Sequence, residues 1–323
     1  MDLNQKPRGR FAPSPSGRMH LGNAWTALLA WLDIRKLGGT MVLRMEDLDP
    51  DRCRPQFAEG LVEDLQWLGL DWDEGPDRPG VVDCYRQSER SLQYQAAFDS
   101  LAQRGLVYPC FCSRAELRSV ASAPHAGEAE PVYSGRCAGL SAVEQAKKLS
   151  VRRQAACRLR VGEAEIAFTD QLFGPQRQKL NQSCGDFVIR RADGVYAYQL
   201  AVVVDDAAMK IDRVLRGADL LSSTPRQIYL WQLLGYLPPT FIHAPLLLAA
   251  DGSRLSKRQG SLTIEALRCS GVRPQRIIGQ LAAWAGLIEN PEPLLPDELI
   301  EGFSLDKLPR EPVVVGDTLT NRI

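Results

Sequence analysis

The segment from residue 9 to residue 39 most constrains the fold, because a strand, a tight turn and a helix follow one another there. The strand is GRFAPSP (9–15), and PSPSGRMHLGN (13–23) leads into a helix that begins near His20 and stops at Gly38. A helix start exposes unpaired N–H groups and a partial positive charge, which suit phosphate. Gly22 lets a nucleotide approach the backbone, and His20 can donate hydrogen bonds. Alone, the pattern also fits a structural histidine.

The same alternation continues along both ends of the chain and favours a parallel sheet with crossover helices. TMVLRMED (40–47) predicts a buried strand that ends in acids, and residues 55–68 and 88–103 predict helices. The apolar, β-branched stretch VYAYQLAVVVDD (195–206) predicts a central strand or strand pair. TPRQIYLWQLLGY predicts a helix with Thr224 as its N-cap.

The pattern breaks up between residues 108 and 185, which predicts an insertion with its own organisation. The expected segments are a first half of the catalytic domain, the insertion, a second half of that domain, and a largely helical C-terminal part. Their bounds are 1–107, 108–185, 186–245 and 246–323.

The charge of the chain is balanced, with 39 basic and 39 acidic residues. A zero total argues weakly against a nucleic-acid partner, but the run from Lys147 to Arg160 holds six basic residues and no acidic one. That run fits either a solvated surface or contacts with RNA phosphates. There is no signal peptide and no apolar run of about 18 residues, so we expect a soluble cytoplasmic protein without membrane contact.

Three of the eight cysteines, Cys110, Cys112 and Cys137, lie in the irregular middle of the chain. Without a secretory signal, disulfides are not expected. Three thiols in a segment that lacks a core suit a tetrahedral zinc site, which needs a fourth ligand. His125 and Cys157 are both chemically reasonable, and three reduced thiols without metal are the alternative.

A second motif, DGSRLSKRQG (251–260), places two basic residues in a loop of glycine and serine. Lys257 could swing over a triphosphate and stabilise charge as pyrophosphate leaves. A solvated basic loop is the alternative for this motif taken alone.

Together, the two motifs resemble the HIGH and KMSKS signatures of class I aminoacyl-tRNA synthetases. RFAPSPSG, HLGN, LRMEDLDPDR, VVVDD, RGADL and LSK resemble the glutamyl-tRNA synthetase family more specifically, from Gly9 to Lys257. HLGN departs from HIGH at two positions and RLSKR departs from KMSKS at three, but Lys257 stands at the catalytic lysine position. The implied fold is α/β, with a Rossmann-like parallel sheet, an inserted zinc-containing acceptor-binding subdomain and a short helical C-terminal extension.

The resemblance implies catalytic roles for His20 and Lys257 and activation of glutamate by ATP with Mg²⁺. The implied ATP-binding residues are Pro13, His20, Gly22, Asn23 and Lys257. The implied glutamate-binding residues are Arg10, Phe11, Ala12, Pro13, Ser14, Glu46, Tyr198 and Arg216. Two arginines and one carboxylate are a natural counter-set for the two carboxylates and the ammonium of glutamate.

The spacing C-x-C followed by Y-x-x-x-C resembles one subgroup of that family, the glutamyl-queuosine tRNA(Asp) synthetases. This resemblance implies that Tyr133 completes a site with Cys110, Cys112 and Cys137 for one Zn²⁺ per chain. The chain from Arg258 to residue 323 is short for an anticodon-reading domain, as in that subgroup. The implied acceptor is the queuosine base of the tRNA(Asp) anticodon stem-loop, and we expect a monomer.

Two other functions remain open at this point. A minimal glutamyl-tRNA synthetase would charge the 3′ end of tRNA(Glu). A non-catalytic zinc-containing tRNA-binding protein would reuse the fold without its chemistry, although it would have no need for His20, Lys257, Arg10 and Glu46 together.

Overall fold

A four-stranded parallel sheet lies at the centre of the protein in the computed structural model, which describes residues 6–113, 116, 132–152, 154–253 and 263–315. Its strands stand in the order β2-β1-β8-β9. The strands of the described chain are β1 (Arg8–Phe11), β2 (Thr40–Leu43), β3 (Val107–Cys110), β4 (Ala156–Leu159), β5 (Glu165–Asp170), β6 (Gly174–Lys179), β7 (Phe187–Arg190), β8 (Arg213–Gly217), β9 (Thr240–Ala244), β10 (Leu247–Ala249) and β11 (Val313–Val315).

Nine α-helices pack around this sheet and its extensions within the described residues. They are α1 (Leu21–Lys36), α2 (Pro55–Trp67), α3 (Ser91–Gln103), α4 (Ala142–Arg152), α5 (Leu180–Ser183), α6 (Tyr198–Ala208), α7 (Thr224–Leu234), α8 (Ile264–Cys269) and α9 (Pro274–Trp284). Helix α1 ends where predicted, since Gly38 adopts a φ of 61° that a side chain would disfavour.

The central sheet separates two hydrophobic cores, because successive residues of a strand point to opposite faces. On β8, Leu215 joins the core formed with α1, α2 and α9, whereas Val214 joins the core formed with α3, α6 and α7. On β9, Ile242 joins the first of these cores and Phe241 joins the second. Both faces of the sheet are therefore covered by helices, as a parallel sheet requires.

The stretch predicted as a central strand, residues 195–206, is instead mostly helix α6, so that prediction was wrong. Every residue from Leu200 to Asp206 is buried. A helix that is buried on all sides has a continuous apolar run, and such a run cannot be told from a buried strand by periodicity. Helix α6 packs against α3 and α7 rather than extending the sheet.

Two boundaries also differ from prediction. The strand expected over residues 40–47 ends at Leu43, so Glu46 lies beyond the strand rather than ending it. Thr224 is the first residue of α7, and Ser223 is the N-cap, since a 3-10 turn (Ala218–Ser223) leads directly into that helix.

The middle of the chain forms a three-stranded antiparallel sheet in the order β3-β4-β7 and a hairpin of β5 and β6. Strand β7 lies beyond the predicted 108–185 segment. The predicted basic run does not form one surface, because Lys147 and Lys148 on α4 are exposed whereas Arg158 on β4 is buried. Arg158 donates to the backbone carbonyl of Asp186.

The C-terminal part packs into the core on one face of the central sheet. Strand β10 pairs in parallel with β11, and α9 contributes Ile277, Ile278 and Leu281 to the core around α1. Among the described residues, no helix has the length and apolar character that crossing a membrane would require.

Candidate active site

A cavity of about 750 Å³ opens at the carboxyl edge of the central sheet. It lies where β1 ends and the order of strands reverses between β1 and β8, which is where open α/β sheets bind ligands. Every described residue that the sequence assigned to ATP or glutamate lines it. These are Arg10, Phe11, Ala12, Pro13, Ser14, His20, Gly22, Asn23, Glu46, Tyr198 and Arg216. Lys257 lies outside the described residues.

The turn between β1 and α1 forms one wall of this cavity. His20 is the N-cap of α1, and its backbone N–H donates to Asn23 Oδ1 at 3.3 Å. A Cβ at Gly22 would come within 3.0 Å of His20 Cε1. Glycine at this position therefore leaves room for the imidazole beside the helix start, where phosphate binds readily.

The segment that carries Lys257 rejoins the described chain at this wall. Thr263 forms an antiparallel bridge with His20, and the Ile264 N–H donates to the Met19 carbonyl at 2.9 Å. Thr263, the first described residue after the segment that carries Lys257, is therefore paired with His20 of the first motif.

A buried cluster of charged residues lies beside the cavity, and two of its members, Arg10 and Glu46, line it. Arg44 is fully buried and donates to Asp206 Oδ1 at 2.6 Å and to Glu46 Oε1 at 3.0 Å. Arg10 Nε lies 3.4 Å from the same Asp206 oxygen. Burial opposes ionisation of Asp206, but Arg44 and Arg10 outweigh it and lower the pKa of that carboxyl. Burial raises the pKa of Glu46 despite both arginines.

Arg216, at the end of β8, is held by neutral groups instead. Its Nε donates to His243 Nε2 at 3.0 Å and its Nη2 donates to Thr224 Oγ1 at 2.8 Å. Within the described chain, Arg216 forms no ion pair with a carboxylate, and its buried Nη1 has no hydrogen-bond partner. Burial lowers the pKa of Arg216.

The cavity thus presents the guanidinium groups of Arg10 and Arg216, the carboxylate of Glu46 and the phenol of Tyr198, with Arg18 and Asp219 also in its lining. Arg10 and Arg216 can each bind a carboxylate, and Glu46 can accept from an ammonium. Tyr198 begins α6 and also lines the cavity, and burial raises the pKa of its phenol, which stays protonated and can both donate and accept a hydrogen bond. This set matches a small zwitterion with a second carboxylate, next to a phosphate-binding turn.

The three cysteines of the middle segment converge. The sulfur atoms of Cys110, Cys112 and Cys137 all lie within 4.8 Å of one another. The Tyr133 hydroxyl is 3.5 Å from Cys110 Sγ and 4.0 Å from Cys112 Sγ. Cys157 is not part of this group and packs in the core with α3 and α6. His125, the other proposed fourth ligand, lies outside the described residues.

The spacing of these atoms fits a tetrahedral metal ion. Zinc–sulfur bonds of about 2.3 Å place two tetrahedral sulfurs about 3.8 Å apart, and the Cys112 and Cys137 sulfurs are 3.6 Å apart. Burial, together with the neighbouring Cys110, raises the pKa of the Cys112 thiol to about 12. A second thiolate is therefore costly here unless a cation offsets its charge, as a bound metal does.

Two residues beside the cavity were missed by sequence reasoning. Asp170 at the end of β5 and His243 on β9 are fully enclosed and joined by a 2.7 Å hydrogen bond. Asp170 lies in the middle segment, and His243 is a lone histidine in an apolar strand. Neither offered a local motif, although a histidine within the apolar stretch FIHA (241–244) could have prompted a search for its partner.

The chain matches the family model described as "tRNA synthetases class I (E and Q), catalytic domain" over residues 6–302. It is 52% identical to the glutamyl-Q tRNA(Asp) synthetase of Nitratidesulfovibrio vulgaris, with 98% of both chains covered. It is 41% identical to glutamate–tRNA ligase 2 of Syntrophus aciditrophicus, covering 94% of this chain and 62% of that protein.

The fold is similar to the crystal structure of a glutamate tRNA ligase from Elizabethkingia meningosepticum in complex with its amino acid. The TM-score is 0.82 at 29% identity, with 96% of this chain and 67% of that chain covered. The parallel sheet and its cavity are accordingly those of a class I synthetase catalytic domain, and the chain belongs to the class I tRNA synthetase (E and Q) family.

Proposed function

We propose that this protein activates L-glutamate with ATP and transfers the glutamyl group to the queuosine base at the wobble position of tRNA(Asp). The observation that carries the glutamate assignment is the cavity itself, where Arg10, Glu46 and Arg216 form a counter-set for glutamate. The acceptor rests on the 52% identity, over 98% of both chains, with a relative named glutamyl-Q tRNA(Asp) synthetase.

The site residues have separate roles in the first step. Arg216 and Arg10 bind the carboxylates of glutamate, while Glu46 and Tyr198 bind its ammonium. His20, Gly22 and Asn23 lie at the helix start that receives the phosphates, and the segment from Phe11 to Ser14 bounds the pocket. Lys257 and His20 stabilise the charge of the transition state.

The reaction needs no side-chain nucleophile. A carboxylate oxygen of glutamate attacks the α-phosphorus of ATP, the bond to the bridging oxygen breaks, and pyrophosphate leaves. Mg²⁺ bound with ATP would offset the charge of the phosphates. A ring hydroxyl of queuosine then attacks the carbonyl carbon of glutamyl adenylate, and AMP leaves as the ester forms. Catalysis is therefore positioning and charge stabilisation.

The chain divides this work between its segments. Residues 1–107 and 186–245 form the catalytic domain, except that β7 joins the sheet of the middle segment, and residues 246–323 carry the lysine loop and a short C-terminal extension. Residues 108–185 contact the tRNA, with the exposed Lys147 and Lys148 of α4 next to the cysteine cluster. Such contacts with phosphate make binding sensitive to salt. The protein acts as a monomer.

One experiment separates the proposed acceptor from its alternatives. The protein is offered ATP, labelled glutamate and tRNA(Asp) that either carries or lacks queuosine. Label that depends on queuosine supports the proposal. Label on unmodified tRNA(Glu) instead identifies a glutamyl-tRNA synthetase, and absence of both adenylate and transfer identifies a non-catalytic tRNA-binding protein.

A zinc ion held by Cys110, Cys112, Cys137 and Tyr133 organises the middle segment. The support is the close approach of the three sulfurs and the phenol. The Arg158 guanidinium lies 3.7 Å above the Tyr133 ring and adds positive charge beside that ligand. The ion supplies structure to a cluster with a small core of its own.

Metal analysis tests this site directly. The purified protein should contain about one zinc per chain, and a Cys112→Ser, Cys137→Ser double variant should lose it. Cys157→Ser is the matched control, because this buried thiol lies outside the group and should leave the metal content unchanged. Zinc retained by the double variant would contradict the assignment.

A further inference from the structure

A chain of three buried side chains leads from the middle segment to the arginine at the cavity. Asp170, at the end of β5, accepts from His243 Nδ1 on β9 at 2.7 Å. His243 Nε2 in turn accepts from Arg216 Nε at 3.0 Å. All three residues are at most 3% exposed, so water does not compete for these bonds.

The direction of each proton in this chain is fixed by chemistry. Arginine only donates hydrogen bonds, so His243 Nε2 must present its lone pair to Arg216. The ring proton therefore resides on Nδ1 and points at Asp170 Oδ2. The other carboxylate oxygen, Oδ1, accepts the backbone N–H groups of Leu172 at 3.0 Å and Phe173 at 2.9 Å. Both oxygens of Asp170 are thus acceptors, and only one tautomer of His243 satisfies the chain.

The arrangement also determines which nitrogen of Arg216 is left to bind a ligand. Burial lowers the pKa of His243, so the imidazole stays neutral between the aspartate and the arginine. The negative charge of Asp170 therefore acts on Arg216 through the ring rather than by direct contact. Two of the three guanidinium nitrogens are held by His243 and Thr224, and Nη1 remains without a partner in the described chain.

We propose that Asp170, acting through neutral His243, positions Arg216 for a carboxylate of glutamate, a role that rests on the glutamate binding proposed above. Neither residue touches the substrate. Asp170 holds the tautomer, His243 holds the guanidinium plane, and the remaining nitrogen of Arg216 meets the ligand. The middle segment thereby contributes to amino-acid affinity as well as to the tRNA surface.

Asp170→Asn tests this role with almost no change in shape. The backbone N–H groups of Leu172 and Phe173 require an acceptor, so the amide oxygen takes the place of Oδ1 and the NH₂ group turns towards His243. The ring must then accept at Nδ1 and carry its proton on Nε2, which faces a donor of Arg216. The KM for glutamate should rise on the order of tenfold to a hundredfold, while the KM for ATP and kcat stay unchanged.

The tautomer can be observed without any substitution. The protein has three histidines, so ¹⁵N-histidine labelling and two-bond ¹H–¹⁵N spectra can resolve the ring of His243. The unchanged protein should show the proton on Nδ1, and Asp170→Asn should move it to Nε2. A purely structural role for Asp170 would not produce that switch together with a selective change in the KM for glutamate.

Asp33→Asn is the matched control. Asp33 is also buried and pairs with Arg213, three residues before Arg216 on the same strand, but neither residue lines the cavity. The Asp33→Asn variant should have a lower free energy of unfolding and an unchanged KM for glutamate.

The outcomes separate the proposal from the function on which it rests. Glutamate-dependent exchange of pyrophosphate into ATP, measured in the unchanged protein, tests the function, and its absence would refute glutamate activation. With exchange present, an unaltered KM in Asp170→Asn would refute the positioning role. A proton on Nε2 in the unchanged protein would refute it whether or not the variant folds.

Discussion

Arg44 and Arg216 are both buried beside the same cavity, yet their surroundings are opposite. Arg44 lies within ion-pair distance of Asp205, Asp206 and Glu46, and these carboxylates outweigh burial and raise its pKa. Arg216 is held by a neutral imidazole and a hydroxyl, and burial lowers its pKa. The charge of the first arginine is balanced by carboxylates that hold the fold together. The second keeps positive charge available for a ligand.

The comparison predicts its largest effect at Arg44. Arg44→Met leaves three buried carboxylates without their shared counter-ion and should lower the free energy of unfolding by about 3–5 kcal/mol. Urea unfolding followed by circular dichroism measures this change. A loss below about 1 kcal/mol, the range of an exposed ion pair, would mean that Arg44 is not the centre of the cluster.

Arg216 should show the reverse pattern, with a large effect on activity and a smaller one on stability. Arg216→Lys replaces a planar fork with a point charge and should lower kcat/KM for glutamate roughly a hundredfold to a thousandfold. Arg213→Lys on the same strand is the control, since its partner Asp33 lies away from the cavity. Equal losses of activity in Arg216→Lys and Arg213→Lys would contradict the claim that Arg216 binds the ligand and Arg213 does not.

Glu46 belongs to both sides of the comparison, because it accepts from Arg44 and lines the cavity. Glu46→Gln keeps an oxygen for Arg44 but removes the charge that an ammonium would meet. We expect kcat/KM for glutamate to fall on the order of tenfold, with the free energy of unfolding changed by less than about 1 kcal/mol. The stability change is small because burial already opposes the charge of Glu46 and raises its pKa. A loss of stability without a loss of activity would place Glu46 with the structural residues only.

Glu74 lies outside the cavity, so its substitution should change stability alone. Arg8 and the Tyr85 hydroxyl outweigh burial and lower the pKa of Glu74 to about 2. A carboxyl whose pKa is lower in the folded state stabilises the fold at pH values above its unfolded pKa. That stabilisation is lost as the pH falls towards the folded pKa. Glu74→Gln should therefore cost about 1–2 kcal/mol at pH 7. The difference from the unchanged protein should narrow steadily below pH 4.5. A difference that stays constant with pH would exclude the ion pair as its source.

The sequence predicted the cavity wall well because the relevant residues follow strands and turns with clear local patterns. Pro13, Gly17 and Gly22 mark the turn, and Arg10 and Arg216 lie at the carboxyl ends of parallel strands, which meet at one edge of a sheet. The cysteine cluster was also predicted from the sequence, because three cysteines in one irregular segment are uncommon in a protein without disulfides.

The remaining features depend on contacts that no local pattern records. Asp170 and His243 are 73 residues apart, and their meeting depends on how β5 packs against β9. Helix α6 was mistaken for a strand because burial on every side removes the periodicity of a helix. Arg44 gave no sign of its role, since its partners Asp205 and Asp206 lie on that same misassigned helix.

The division of β8 and β9 between two cores affects how substitutions combine during evolution. Leu215 and Ile242 are paired residues within one core, so changes at these positions share a space and interact epistatically. Val214 and Leu215 are neighbours in the chain, but their side chains belong to different cores and share no packing space. The core beneath α1 can therefore drift in composition almost independently of the core beneath α6, except where its residues Phe11, Met19 and Trp25 also line the cavity.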